Sequence, residues 1–194
     1  MRIAPSPRLI PAGREEKEAK LRDFISLDLA ARRESGASTG LVRYTLLARA
    51  PDSPVARAIS AVMPDLIAAD ATVDLLLLDL DGFAEEPVRA SLLDMHNVDV
   101  RLLRDPRFSS AHEQLVLNMR RVWIGDCMRR DPAKRDAFEL FHDDNATAAT
   151  HAAVSFSRMW AAAQPVRRIN PVGPEFVIPG QMAGDSAPNI APRR

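Results

Sequence analysis

The sequence predicts a single α/β domain, a mixed β-sheet flanked by helices. Three observations carry that expectation. From Glu15 to Ala163 the apolar residues switch between helical and strand periodicity. One run, Thr72 to Leu80 (TVDLLLLDL), is almost continuously apolar, as in a strand buried on both faces. A late group of short strands and a hairpin then departs from a purely parallel pattern. The 194 residues, 46% hydrophobic and 27% charged, are ordinary for one folded soluble domain.

The elements follow in order. Glu15–Glu34 is predicted helical, with Leu21, Phe24, Ile25, Leu27, Asp28 and Leu29 on its inner side. Glu34–Gly40 is a loop and Leu41–Ala48 a strand. Ser53-Pro54 reads as a helix start, serine as N-cap and proline at the first position, for one helix running to about Ala69. After the apolar strand, Asp81-Gly82 makes a turn, and Glu86-Pro87 opens a helix ending near His96-Asn97. Val98–Leu103 is the next strand. His112–Leu117 and Arg121–Ile124 form a hairpin, and Ala137–His142 is one more strand. Asp144–Ala163 closes the domain as an amphipathic helix using Ala148, Val154, Phe156, Met159 and Trp160. Residues 1–13 and 165–194, rich in proline, are expected to be a flexible N-terminus and a disordered tail around a domain at 14–164.

Charge and cysteine usage narrow the function classes. The 26 basic and 26 acidic residues cancel, which removes a global field toward nucleic acid or membrane. The distribution is uneven: Asp52–Asp99 holds ten acids and two bases, Arg101–Arg135 nine bases and four acids. This is either two solvated faces or an anion-facing edge on the second half. No apolar run is long enough to span a membrane, and the proline-broken start is unlike a secretory signal, so a cytoplasmic protein is expected. A single cysteine, Cys127, excludes an internal disulfide and a multi-cysteine zinc site. It is either a small buried residue or, among arginines, a reactive thiol. His96, His142 and His151 lack metal-ligand spacing with one another. His142-Asp143-Asp144 reads as the start of the closing helix, with the acids as caps. Asp79-Leu80-Asp81-Gly82 reads as a strand exit and turn. No metal or cofactor is expected.

The chemistry concentrates in the hairpin. Its first strand reads His112-Glu113-Gln114-Leu115-Val116-Leu117, followed by Asn118-Met119-Arg120-Arg121, then Val122-Trp123-Ile124 and Gly125-Asp126. With DAFELFHDDNATAATHAAVSFSRMWAAA behind it, this stretch resembles one half of a phospholipase D-like domain, whose motif is His-x-Lys on a strand, an Asp near its end and a second strand ending in Gly-Ser. The order of upstream elements agrees over roughly residues 20–163. The resemblance implies phosphodiester chemistry by two histidines facing one phosphate, one attacking and one protonating the leaving oxygen, with lysines stabilising the developing charge. A chain carrying one motif needs a second copy to supply the second histidine, so a homodimer is implied.

Against that pattern the motif is degenerate. His112 and Gly125 remain. Gln114 occupies the lysine position, Asn118 or Met119 the aspartate position, and Asp126 the serine position. Gln114 brings no charge, and Asp126 sets a carboxylate where phosphate oxygen belongs, a repulsion of several kcal/mol at about 4 Å. The candidate site is therefore His112, catalytic only in an active form, with Gln114 and Asp126. Arg120, Arg121, Arg129 and Arg130 are the candidate phosphate- or anion-binding residues. Taken alone, His112 is either a structural histidine or a catalyst, and the arginines are either solvated loop residues or anion ligands. The expected function is a catalytically degenerate phospholipase D-like domain acting in binding or oligomerisation. The alternatives are a dimeric, metal-independent phosphodiesterase or nuclease using His112 from each subunit, and a module that binds nucleic acid without cutting it.

Overall fold

A computed structural model describes residues 13–35, 42–78, 92, 95–108, 111–125 and 139–166. Helix α1 (Arg14–Glu34) leads into strand β1 (Val42–Ala48), then helices α2 (Pro54–Ala61) and α3 (Met63–Ala68). Strands β2 (Ala71–Leu77), β3 (Val98–Leu102), β4 (Glu113–Val116), β5 (Val122–Gly125) and β6 (Glu139–His142) follow, then helix α4 (Ala146–Ala162) and strand β7 (Gln164–Pro165). Among the described residues these strands make one mixed sheet, in the order β6-β5-β4-β1-β2-β3-β7. The β1–β2 and β2–β3 pairs are parallel; β1–β4, β4–β5, β5–β6 and β3–β7 are antiparallel.

Strand alternation sorts the side chains onto two covered faces. Tyr44, Leu46, Val73, Leu75, Val98, Val100, Leu115 and Trp123 join α1, α2 and α3 in the main core. Leu47, Leu76 and Leu103 meet Phe156 and Met159 of α4 on the other face. Val116 and Val122 meet Ala149 and Ala152 nearer the start of α4. The continuous apolar run of β2 is explained by this: both its faces lie under helices.

Several expectations shift by a local physical cause. The one helix foreseen from Pro54 to Ala69 is two, broken at Val62, because Pro64 has no N–H to give to the carbonyl four residues back and its ring crowds that carbonyl. Leu27 and Val154, placed inside by periodicity, are 59% and 46% exposed. Buried Ala149, Ala152, Phe156 and Met159 recur every three or four residues, and Val154 falls on the opposite side of that stripe. The cap of α4 is Asn145, whose side chain accepts from Ala148 N at 2.9 Å, rather than Asp143 or Asp144. The segment expected to be tail is structured at its start: Pro165 pairs with Arg101, and Val166 N donates to Val100 O at 2.9 Å. Most of the helix expected after Glu86, the Asp79–Gly82 turn and Cys127 lie outside the described residues. Among the described residues no helix is long and apolar enough to cross a membrane, and no three metal-ligating side chains cluster.

Candidate functional site at the His112 end of the sheet

His112 immediately precedes β4 and is exposed. Alternation places Gln114 on the same side of the strand, toward α4, and Glu113 on the side of α1. Gln114 is buried, and its Nε2 donates to Ala152 O of α4 at 3.1 Å. Two residues after His112 the strand thus carries a neutral amide bound to the backbone of the covering helix.

Glu113 belongs to a buried ionic cluster that periodicity does not reveal. Its Oε1 accepts from Arg49 N at 2.9 Å. Burial pushes its carboxyl above the usual carboxylate range, while the Arg49 N–H and Lys17 pull the other way. Register sets Glu113 opposite Gly125, and Gly125 opposite Glu139. Lys17 reaches down from α1, with Nζ 2.6 Å from Glu139 Oε1 and 5.2 Å from the centre of the Trp123 ring. Lys17 and Glu139 are 7% and 1% exposed, so water contributes little to their solvation. Among the described residues Glu139 Oε2 and Trp123 Nε1 have no hydrogen-bond partner. A lysine on the inner face of an amphipathic helix is the one signal that foretells such a cluster, and helical periodicity counts it as polar and outward.

Gly125 has a packing role. A Cβ there would lie 2.3 Å from the Trp123 ring, which is fully buried and cannot give way. Only glycine lets the indole fold back over its own strand.

The hairpin separates the candidate residues. Arg120 and Arg121 lie in the turn at the far end of β4, about 17 Å from His112 for five residues of extended chain. Both are engaged there. Arg120 pairs with Asp144, and Arg121 NH1 lies 3.9 Å from Asp28 Oδ1. Asn118 donates through Nδ2 to Asp28 Oδ1 at 2.5 Å and accepts from Arg120 N and Arg121 N at 2.8 Å each, closing the turn. Asp28 is 3% exposed and also accepts from Tyr44 OH and Arg32 Nε, each at 2.8 Å. Burial and the neighbouring Asp28 carboxylate both push the Tyr44 hydroxyl upward. Asp126, Arg129 and Arg130 lie outside the described residues.

Cations at the His112 end come from elsewhere. Because β1 and β3 run antiparallel to β4, their C-terminal ends lie at its N-terminal end, bringing Arg49 and exposed Arg104 to the same border of the sheet as His112. Arg49 did not stand out in the sequence, because it follows a strand far from His112, whereas Arg104 belongs to the basic stretch Arg101–Arg135. The opposite border holds a groove of about 360 Å³ lined by Arg43, Thr72, Asp74, His96 and Asp99, in which Asp74 grips Arg43 through bonds of 2.6 and 2.9 Å. It does not adjoin His112.

No protein-family model matches the chain, and neither does the sequence of any curated protein. Solved structures are similar in fold. NucT from Helicobacter pylori matches at a TM-score of 0.54 and 13% identity, over 83% of this chain and 98% of its own. The fold is phospholipase D-like. TrmBL2, described as an archaeal chromatin protein with a novel mode of DNA binding, matches at a TM-score of 0.56 and 11% identity, over 84% of this chain. This chain spans 56% of the length of TrmBL2. Nuc from Salmonella typhimurium, a phospholipase D family member, matches at 0.46 and 13% identity, over 73% of this chain and 90% of its own.

Proposed function

We propose that this phospholipase D-like domain is catalytically degenerate and acts by binding, with the His112 end as its contact surface. The observation that carries the reading is Gln114. Phosphoryl chemistry at His112 needs a cation beside the phosphate, worth several kcal/mol where charge develops. The side chain in that position is neutral, buried and bonded to Ala152 O. Nucleic acid is the ligand class favoured here, because the similar fold of TrmBL2 belongs to a DNA-binding chromatin protein. Exposed Arg104 at the same border offers the phosphate contact such binding needs.

The test is hydrolysis of bis-nitrophenyl phosphate with EDTA present, for the wild type and His112→Ala, beside titration of a fluorescent DNA duplex. Background rates in both proteins are expected. DNA affinity should fall steeply with salt and weaken in Arg104→Glu. A rate that vanishes in His112→Ala would replace this reading with the divergent phosphodiesterase. Absence of DNA binding at low salt would remove nucleic acid as the ligand.

A further inference from the structure

We propose that the groove at the border opposite His112 is a guanidinium site, and that its occupant is Arg167 of this chain. The inference is independent of the binding role proposed above.

The groove, of about 360 Å³, is unbalanced in charge. Besides His96, its ionisable lining is one cation, Arg43, against two carboxylates, Asp74 and Asp99. Register sets those carboxylates directly opposite each other on β2 and β3, a pairing that destabilises a sheet unless a cation stands beside it. Arg43 gives both its bonds to Asp74, which is 6% exposed, and attracts Asp99 only through space. Asp99 is exposed, and among the described residues no cation is paired with it. An anion entering here would meet two carboxylates, whereas the planar fork of a guanidinium matches them. Asp99 lies on the α4 side of the sheet. Val98, Val100 and Leu102 turn into the main core, while Arg101, two residues along from Asp99, stacks on Trp160 of α4 at 4.4 Å.

The chain itself leads a cation to this place. Strand β7 runs antiparallel to β3, with Gln164 opposite Leu102 and Pro165 opposite Arg101. Val166 extends the ladder by donating to Val100 O at 2.9 Å, and it lines the groove. Arg167 and Arg168 come next in the sequence. One more step of the same register sets Arg167 opposite Asp99, in the closer, non-hydrogen-bonded kind of pair with Cα atoms about 4.5 Å apart. Directly opposite residues share a face, so the Arg167 guanidinium enters the groove beside Asp99. Alternation turns the Arg168 side chain to the other face and its N–H toward Val98 O.

The test is amide hydrogen exchange of the full chain, read by nuclear magnetic resonance at Arg168. The expected result is exchange well below the free-peptide rate and independent of protein concentration. Arg167→Asp should speed it about two- to fivefold, the share that an exposed ion pair holds. Combining Arg167→Asp with Asp99→Arg should return it toward the wild type. Exchange at the free-peptide rate in the wild type overturns the proposal. So does protection that Arg167→Asp leaves unchanged, a double variant no slower than Arg167→Asp alone, or protection that appears only as concentration rises, which would assign the groove to a second copy. If Asp99→Arg alters the circular dichroism, the wild type and Arg167→Asp decide alone.

Discussion

The two ends of the β4–β5 hairpin solve the problem of a buried charge in opposite ways. At the turn, Asp28 is surrounded by donors: Tyr44, Arg32 and Asn118 bond to it directly, and Arg32 NH2 goes on to Leu117 O at 3.1 Å. That network ties α1, β1 and the turn together with its central carboxylate fully used. At the His112 end, Lys17 and Glu139 face each other in the core beside Glu113, and among the described residues Glu139 Oε2 and Trp123 Nε1 find no partner. A satisfied buried network rigidifies a fold, whereas a partly satisfied one costs stability. The less satisfied end is also the end at which His112 lies.

Substitutions sharpen that contrast, and the largest effect is expected at Lys17. Replacing it by Met strands the Glu139 carboxylate in the core and should destabilise by about 3–5 kcal/mol in urea unfolding. Combining Lys17→Met with Glu139→Met should recover most of the loss; a double variant no better than the single would show that the pair is not the source. At the turn, Asp28→Asn keeps the shape but weakens three bonds to a charged acceptor, for an expected loss of about 2–3 kcal/mol by the same measurement. Gly125→Ala comes next. It forces Trp123 from its place over the strand and should cost about 1–3 kcal/mol, with a changed indole fluorescence maximum. An unchanged spectrum and stability would contradict the contact.

The smallest effect is expected from Glu113 and depends on pH. Its folded carboxyl titrates above the usual carboxylate range because it is buried. The fold therefore favours the protonated form, and stability from this group is present below the ordinary carboxyl value and lost as pH rises through the folded one. Glu113→Gln retains an acceptor for Arg49 N. It should raise Tm at neutral and alkaline pH, with the gain shrinking to nothing in acid. A gain that grew toward acid would reverse the assignment.

Much of this architecture was legible beforehand. The order of helix and strand, the buried β2 and the hairpin all follow from periodicities that one element displays by itself. The expected inner positions of Phe156 and Met159 held, while Leu27 and Val154 did not, since apolar character alone does not place a residue on the buried stripe. Asp28 was included on the inner side of α1, but its role as acceptor for Tyr44 and Asn118 was out of reach, because those partners are 16 and 90 residues away. Arg120 and Arg121 looked close to the motif because they are close in sequence, and extended chain carries them to the far end of the strand.

Residue order by itself determined the α/β class and the expectation of a phospholipase D-like fold. Tertiary structure alone decided that Gln114 is bound beneath α4, that Arg49 and Arg104 stand at the His112 border, and that Lys17, Glu113 and Glu139 share one buried site. The reason is physical: periodicity reports which face of an element is apolar, while the partners of a buried charge are set by strand register and helix packing between distant segments.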